Sequence, residues 1–347
     1  MAERSPGPWA VCLGESMAVL LPDAAGPLEA AGGFRPAVGG AESNTACALA
    51  ALGVPAAWIG RVGDDGFGRM VTADLAACRV DVSAVAVDPH RRTGLYVKET
   101  GGSALPHDLG PGRSRLHYYR TGSAASALSP ALLADPAAAR LLAGARLLHL
   151  TGITAALSDD CLALVRALLA DRRPGRLVSL DLNWRPALWH GRDPAVLPDL
   201  LDAADVLLLG ADEAAEALGT GDPAALRAAF PSPATVVVKD ASHRVTALDR
   251  SGAAVTELAL AVEVVEPTGA GDAFAADYLA QPAPRPGRPP PTAARPPRRG
   301  LRPDRPRRPR PAARARRGRG AARRPGRGLG GDPGDRGWHR VPGTHPA

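Results

Sequence analysis

The feature that most constrains the fold is a regular alternation of short apolar segments and helical segments after residue 138. Strand-like stretches such as RLVSLDL (176–182) alternate with stretches of helical spacing such as SDDCLALVRALLADR (158–172). Strands of this length between helices indicate a parallel, doubly wound α/β sheet. In such sheets ligands bind at the carboxyl ends of the strands. Those ends are expected at LTG (150–152), LNWR (182–185), LGADE (209–213) and VKD (238–240).

The N-terminal part of the chain repeats this scheme and adds strands of another kind. FRPAVGGAESNTACALAALG (34–53) has the pattern of a strand, a Gly-Gly turn and a helix, and residues 56–80 repeat it. GLYVKE (94–99) and RLHYYR (115–120) alternate polar and apolar residues, as partly exposed strands do. We therefore expect one domain over residues 1–280, long enough to bury a large core.

The charge of the chain is divided unevenly. The net charge is +7, but residues 281–347 hold 19 arginines, no lysine, three aspartates and 16 of the 35 prolines, so residues 1–280 are net acidic. The C-terminal stretch has few large apolar residues, and this composition predicts a disordered basic tail. Nucleic acid is not an expected partner, and if the tail bound it at all, the binding would have no sequence preference.

Composition also bears on the compartment. The four cysteines, at positions 12, 47, 78 and 161, lack metal-ligand spacing, and we expect free thiols in a reducing cytoplasm. The N-terminus lacks the pattern of a signal peptide, and no apolar run reaches 18 residues, so neither secretion nor a membrane span is predicted.

The stretch PTGAGDAFAADYLA (267–280) carries the most specific chemistry. Gly269 and Gly271 permit a tight turn, and the N–H groups of the helix that follows form a site for an anion such as phosphate. Asp272 beside that site is suited to take a proton from an attacking hydroxyl. The alternative is an ordinary glycine turn in which Asp272 only caps the helix.

Other polar residues are expected near the same edge of the sheet. GGAESN (39–44) puts Asn44 in the first turn of a helix, where it can bind a hydroxyl or act only as a polar residue of the helix start. Arg120 and Arg185 follow strand-like segments, and two guanidinium groups in one pocket would suit a carboxylate-bearing ligand. Each arginine taken alone is better explained by a surface ion pair.

Together these motifs resemble the PfkB family of carbohydrate kinases, which includes ribokinase and fructokinase. GGAESN with GRVGDDGFG (60–68) is similar to the first signature of the family, and EPTGAGDAFAADYL (266–279) is similar to the second. The order of elements agrees over residues 9–280. TGLY (93–96), YYRTGSAASALSP (118–130) and DLNWRPALW (181–189) resemble most the 2-keto-3-deoxygluconate kinases of the family.

The resemblance implies ATP- and Mg²⁺-dependent phosphorylation of a sugar-acid hydroxyl, with Asp272 as the general base. It implies further site residues, in three groups. The anion hole would be Gly269, Ala270 and Gly271; the sugar acid would be held by Gly39, Gly40, Asn44, Tyr96, Tyr118, Arg120 and Arg185; and Asn183 and Lys239, with Gly269 and Gly271, would bind ATP. Residues 11–38 and 82–121 would form a small β lid that closes over the sugar and mediates a homodimer.

The chain departs from the family pattern at several points. Of an expected Asn-x-x-Glu motif linked to the metal only Glu213 remains, which would act through water, and Arg244 stands where a glycine with positive φ is expected. Pro282 would end the helix from Asp272 after about two turns. Residues 281–347 then replace helices that would cover the adenine, either as a real polyanion-binding appendage or as an out-of-frame reading of a GC-rich gene.

Three functions therefore stay open from the sequence. The first is a 2-keto-3-deoxygluconate kinase with an atypical C-terminus and weakened activity. The second is a fructokinase or ribokinase, whose neutral substrate would need neither Arg120 nor Arg185. The third is an inactive kinase-like binding protein with a polyanion-binding tail.

Overall fold

A computed structural model describes residues 9–240, 244–258 and 268–281 of the chain. The strands are β1 (Ala10–Leu13), β2 (Met17–Pro22), β3 (Phe34–Gly39), β4 (Ala56–Ile59), β5 (Arg61–Gly63), β6 (Ala86–Asp88), β7 (Leu95–Thr100), β8 (Ser114–Tyr119), β9 (Leu147–Thr151), β10 (Leu177–Asp181), β11 (Val206–Gly210), β12 (Thr235–Lys239), β13 (Arg244–Asp249) and β14 (Ala254–Leu258). The α-helices are α1 (Ala41–Ala51), α2 (Gly66–Ala77), α3 (Pro136–Gly144), α4 (Gly152–Leu157), α5 (Asp159–Ala170), α6 (Pro186–Trp189), α7 (Leu197–Asp202), α8 (Ala211–Leu218), α9 (Pro223–Ala229) and α10 (Ala270–Ala280). The predicted tail at 281–347 lies outside the described residues, apart from Gln281.

An eight-stranded sheet forms the centre of the molecule. Its strand order is β14-β13-β12-β11-β10-β9-β1-β4, and all neighbours from β12 to β4 are parallel. β13 and β14 continue the sheet with antiparallel pairing. The central strands are mostly apolar and buried because helices cover them on both faces. The predicted doubly wound, mainly parallel α/β fold is confirmed.

Each face of the sheet has its own apolar core. On one face Val11, Leu13, Leu148 and Leu150 pack with the helices α3 to α5 and α7 to α9. On the other face Ala10, Cys12, Leu147 and Leu208 pack with α1, α2 and α10. Because successive side chains of a strand point to opposite faces, one short apolar run supplies both cores.

A second sheet of four strands, which we call the lid sheet, has the order β3-β2-β7-β8. Its strands lie within residues 17–39 and 95–119. Both segments therefore begin later in the chain than the lid expected at 11–38 and 82–121. Ala10–Leu13 pairs with the main sheet, and Ala86–Asp88 pairs with Arg61–Gly63. The lid sheet begins at Met17 because Gly14 to Ser16 connect β1 of the main sheet to β2 of the lid sheet.

Two further expectations are corrected by local structure. α10 runs from Ala270 to Ala280, which is about three turns instead of two, because the helix begins two residues before Asp272. Gln281 is extended (ψ 147°), as expected of the residue before a proline. Arg244 is the first residue of β13 and is not among the residues with positive φ; its N–H donates to the carboxylate of Asp240.

No helix within the described ranges is long and apolar enough to cross a membrane.

Candidate functional site

The glycine turn before α10 forms the centre of the site. Gly269 is the N-cap residue in the left-handed conformation (φ 85°), which glycine adopts without strain, and no side chain caps the helix. The N–H groups of Ala270 and Gly271 therefore belong to a first turn that has no capping side chain. The predicted anion hole and Asp272 lie together at this helix start.

Asp272 is held by a residue that is 228 positions earlier in the chain. Asn44 Nδ2 donates a hydrogen bond of 2.7 Å to Asp272 Oδ2. The contact forms because α1 and α10 pack against each other with their first turns side by side. Burial raises the pKa of Asp272 to about 6, while the hydrogen bond from Asn44 lowers it and the charge of Asp181 raises it further. A carboxyl group with this pKa can accept a proton near neutral pH.

On one side of the turn lie the residues predicted to bind ATP. Lys239, at the end of β12, has its Nζ 3.7 Å from Asp181 Oδ2 and 3.7 Å from the position of a Cβ added to Gly271. Asn183 adopts a positive φ of 41°, and its N–H donates to Asp181 Oδ1 at 3.1 Å. Among described residues, the buried Asn183 Oδ1 has no hydrogen-bond partner. This group thus supplies a cation and an unsatisfied acceptor next to the anion hole.

On the other side the glycines and tyrosines predicted to bind sugar lie at the base of the lid sheet. A Cβ on Gly39 would come 2.6 Å from Tyr96 Oη, and one on Gly40 would collide with the carbonyl of Glu15. The rings of Tyr96 and Tyr118 lie 5.5 Å apart at a tilt of 49°. Both glycines are therefore required for close packing between α1 and the lid sheet.

Arg120 lies beside these tyrosines in a buried ion pair. Its Nη2 contacts Glu15 Oε2, and its guanidinium lies 5.4 Å from the ring centre of Tyr118. Ser123 Oγ donates to the other oxygen of Glu15 at 3.1 Å, and burial raises the pKa of Glu15. Arg120 Nε is buried and has no hydrogen-bond partner within the described ranges.

Arg185 lies in a different ion pair, so the two arginines do not share one partner. Its Nη1 donates to Glu213 Oε1 at 2.8 Å and to the carbonyl of Trp184 at 2.6 Å. The positive charge of Arg185 lowers the pKa of Asp272, so the two groups lie within electrostatic reach of each other. The ion-pair alternative is thus realised for both arginines, one buried and one partly exposed.

This ion pair bears on the prediction that Glu213 acts on the metal through water. One carboxylate oxygen of Glu213 already accepts a hydrogen bond from Arg185. Across residues 9–240, 244–258 and 268–281 there is no cluster of three acidic, histidine or cysteine side chains that could hold a metal ion. That Mg²⁺ is held mainly by nucleotide phosphates, with few protein ligands, stays a prediction. The role of Glu213 through water stays a prediction.

Sequence reasoning missed several buried charged residues of the site. Glu15, Glu42 and Asp181 are at most 3% exposed, and Lys98 is 8% exposed. Asp181 and Glu42 lie inside the motifs DLNWR and GGAESN and had a positional signal there. Glu15 had none, because its partner Arg120 is 105 residues away in sequence.

The chain is similar to proteins of a known family. The model of the pfkB family of carbohydrate kinases matches residues 9–285. The chain belongs to this family. It is therefore a carbohydrate kinase, a phosphotransferase that acts on a sugar.

Two curated relatives point to different sugars. A 2-dehydro-3-deoxygluconokinase of Thermoproteus tenax is 36% identical over 275 residues, which is 78% of this chain and 80% of the relative. Fructokinase-2 of Zea mays is 34% identical over 283 residues, 79% of each chain. The two relatives thus agree on phosphorylation of a sugar and differ in which sugar is the substrate.

Solved structures agree with the fold. The PfkB protein from Polaromonas sp. JS666 matches with a TM-score of 0.66 and 32% identity over 79% of this chain and 88% of its own. The fructokinase of Xylella fastidiosa with bound ATP matches with a TM-score of 0.64 and 27% identity over 78% and 80%. The chain has the ribokinase-like α/β fold.

The buried pair of Arg120 and Glu15 generates a stability prediction. Arg120→Met should lower the free energy of unfolding by about 3–5 kcal/mol, because Glu15 is left as an uncompensated buried charge. The double variant E15Q/R120M should regain most of that loss. Urea unfolding of the two variants and the parent chain measures both effects. A double variant no more stable than R120M would assign the cost to lost packing around the guanidinium.

Glu42 generates a prediction about pH. Thr151 Oγ1 and Thr154 Oγ1 donate to Glu42 Oε1 at 2.7 and 2.6 Å, yet burial raises the pKa of Glu42 from 4.5 to about 7. Between those pH values the folded state binds more protons than the unfolded chain, so this contribution to stability is lost as pH rises to about 7. The shift corresponds to roughly 3 kcal/mol.

Glu42→Gln should therefore flatten the dependence of unfolding free energy on pH, gaining stability relative to the parent chain from pH 5 to pH 8. Denaturant unfolding at the two pH values measures the difference. Thr72→Val is a matched control, because Thr72 donates only to the carbonyl of Gly68 within its own helix. Parallel pH curves for E42Q and the parent chain would contradict the prediction.

Proposed function

We propose that the chain transfers the γ-phosphoryl group of ATP to a hydroxyl of a sugar acid, 2-keto-3-deoxygluconate, giving the 6-phosphate. The observation that carries the proposal is the Asp272 carboxylate, held by Asn44 at 2.7 Å at an uncapped helix start. Asp272 takes the proton of the attacking sugar hydroxyl as the hydroxyl oxygen bonds to the γ-phosphorus and the bond from that phosphorus to the bridging oxygen of ADP breaks. The N–H groups of Gly269, Ala270 and Gly271 stabilise the charge on the transferring group.

The nucleotide is proposed to lie on the side of Lys239 and Asn183. Lys239 Nζ, beside Gly271, supplies a positive charge to the phosphates, and Asn183 Oδ1 supplies an acceptor. Mg²⁺ bound with ATP would neutralise phosphate charge, with Glu213 as an outer ligand through water. The fructokinase with bound ATP supports this choice of nucleotide.

The arginines support a sugar acid. Arg185 uses only Nη1 in its contacts with Trp184 and Glu213, so within the described residues Nη2 and Nε make no hydrogen bond. A guanidinium group has five donors, and the remaining ones can bind a substrate carboxylate. Arg120 Nε, next to Tyr118, offers a further donor. The relative from Thermoproteus tenax supports the same substrate.

A neutral sugar such as fructose is the second candidate. The observation that favours it is the pairing of both arginines with carboxylates, Arg120 with Glu15 and Arg185 with Glu213. In that case the arginines order the lid sheet and the loop after β10 instead of binding substrate. An inactive chain with a polyanion-binding tail is the outcome if no sugar is phosphorylated.

The lid sheet is also the proposed surface of a homodimer, where Phe34 and Tyr119 are exposed.

Substitution of Asp272 tests the general base. Asp272→Asn should lower kcat about 10²–10⁴-fold, because the carboxamide cannot accept the proton, while ATP binding is retained. In the parent chain kcat/KM should fall below pH about 6 as Asp272 is protonated. Steady-state kinetics from pH 5 to 8 measure both effects. Asp277→Asn, the same change on the same helix, is the control; equal losses in D272N and D277N would exclude a specific role for Asp272.

Substrate preference is tested with Arg185 and Glu213. Arg185→Gln should raise KM for 2-keto-3-deoxygluconate about tenfold and leave KM for fructose unchanged, because only the acid carries a carboxylate. Glu213→Gln keeps the guanidinium and should not raise KM for the acid. If Glu213 acts on the metal, E213Q instead raises the Mg²⁺ concentration needed for half-maximal rate. A parent chain with higher kcat/KM for fructose would refute the sugar-acid proposal.

A further inference from the structure

Both lysines of the chain lie next to the glycine turn. Of the 42 lysine and arginine residues, 40 are arginine, and the lysines are Lys98 and Lys239. Lys239 Nζ lies beside Gly271, as described above. Lys98 Nζ lies 3.4 Å from Oγ1 of Thr268, the residue that precedes Gly269. In a chain that otherwise uses arginine, both compact ammonium groups flank the proposed phosphoryl site.

Lys98 reaches the turn from the lid sheet. It lies on β7, two residues after Tyr96, so both side chains point to the same face of the strand. Tyr96 pairs with Tyr118 and Lys98 with Leu116 on the neighbouring strand β8. The face that carries the tyrosines predicted to bind sugar therefore also carries Lys98 towards the phosphoryl side.

The side chain of Lys98 is buried. Lys98 is 8% exposed, so its stem is packed and its Nζ has little freedom. The contact with Thr268 connects residues 170 positions apart and joins the lid sheet to the start of α10. A lysine presents a point charge that can approach one phosphoryl oxygen, whereas the broad fork of an arginine needs more space.

We propose that Lys98 is a catalytic residue of the lid sheet whose ammonium binds the phosphoryl group during transfer, opposite Lys239. The inference rests on the proposed kinase reaction but not on the identity of the sugar. The substrate oxygen forms a bond to the γ-phosphorus as the bond to the bridging oxygen of ADP breaks, and Asp272 takes the hydroxyl proton. Lys98 transfers no proton and remains charged throughout, so it contributes only electrostatic stabilisation.

Kinetics of a matched pair of variants test this role. Lys98→Met should lower kcat about 100-fold, with KM for the sugar and the affinity for ATP without sugar nearly unchanged. Thr268→Val removes the hydroxyl that Lys98 contacts and keeps the ammonium, so kcat should fall less than about fivefold. Equal losses in K98M and T268V would overturn the proposal, because Lys98 would then act only through the turn. Lys98→Arg should recover only part of the rate, and full recovery would refute the need for a compact charge.

Labelling gives a readout that needs no turnover. Acetic anhydride modifies lysines, and peptide mass spectrometry distinguishes Lys98 from Lys239 because the chain has no others. A non-hydrolysable ATP analogue with Mg²⁺ and the sugar acid should slow acetylation of Lys98 several-fold, whereas ADP with Mg²⁺ should not. Protection by ADP alone, or none by the analogue, would overturn the proposal.

The failure of the two proposals can be told apart. If the parent chain phosphorylates fructose and not the sugar acid, the proposed substrate is wrong, and a loss of kcat in K98M with fructose still supports Lys98. If the parent chain phosphorylates no sugar, the proposed function fails, and the labelling comparison with the analogue alone decides whether Lys98 meets the γ-phosphoryl group.

Discussion

The hydrogen bond between Asn44 and Asp272 is the interaction on which the rest of the site depends. It joins the first turns of α1 and α10, which pack against each other in the core on one face of the main sheet. With these two helix starts side by side, the proposed sugar side at Gly40 and the proposed phosphoryl side at Gly269 have a common wall. A change in the packing of α1 on α10 would therefore displace the proposed base, Asp272, and the proposed anion hole together.

The second constraint is electrostatic, because a site rich in carboxylates would have to receive the proposed nucleotide, which is an anion. Each buried carboxyl group has a different form of compensation. Glu15 is paired with Arg120, Asp181 lies near Lys239, and Glu42, with a pKa raised to about 7, becomes mostly protonated as the pH falls below neutral. Asp272 alone combines a hydrogen bond from an amide with a pKa near 6 and so keeps the capacity to accept a proton.

The sequence predicted the parts of this arrangement that depend on local pattern. Apolar runs such as VLLLG and the spacing of GGAESN and TGAGD were sufficient for the strands, the helix starts and the placing of Asp272. The sequence did not predict contacts between distant residues, because nothing near Glu15 or Lys98 indicates a partner more than 100 residues away. The same limit explains the two arginines: their residue type suggested a carboxylate partner, but only the fold shows that Glu15 and Glu213 already occupy that position.

This prior pairing determines how a substrate carboxylate can be recognised at all. If the carboxylate had to displace Glu15, one buried ion pair would replace another, and the stranded glutamate would cost several kcal/mol. Recognition without displacement needs guanidinium donors that the protein leaves unused, and in the described residues Arg185 is partly exposed and has three such N–H donors, two on Nη2 and one on Nε. Arg185 is thus better suited than Arg120 to distinguish a sugar acid from a neutral sugar. Arg120 then serves chiefly to hold Glu15 and the tyrosines at the base of the lid sheet.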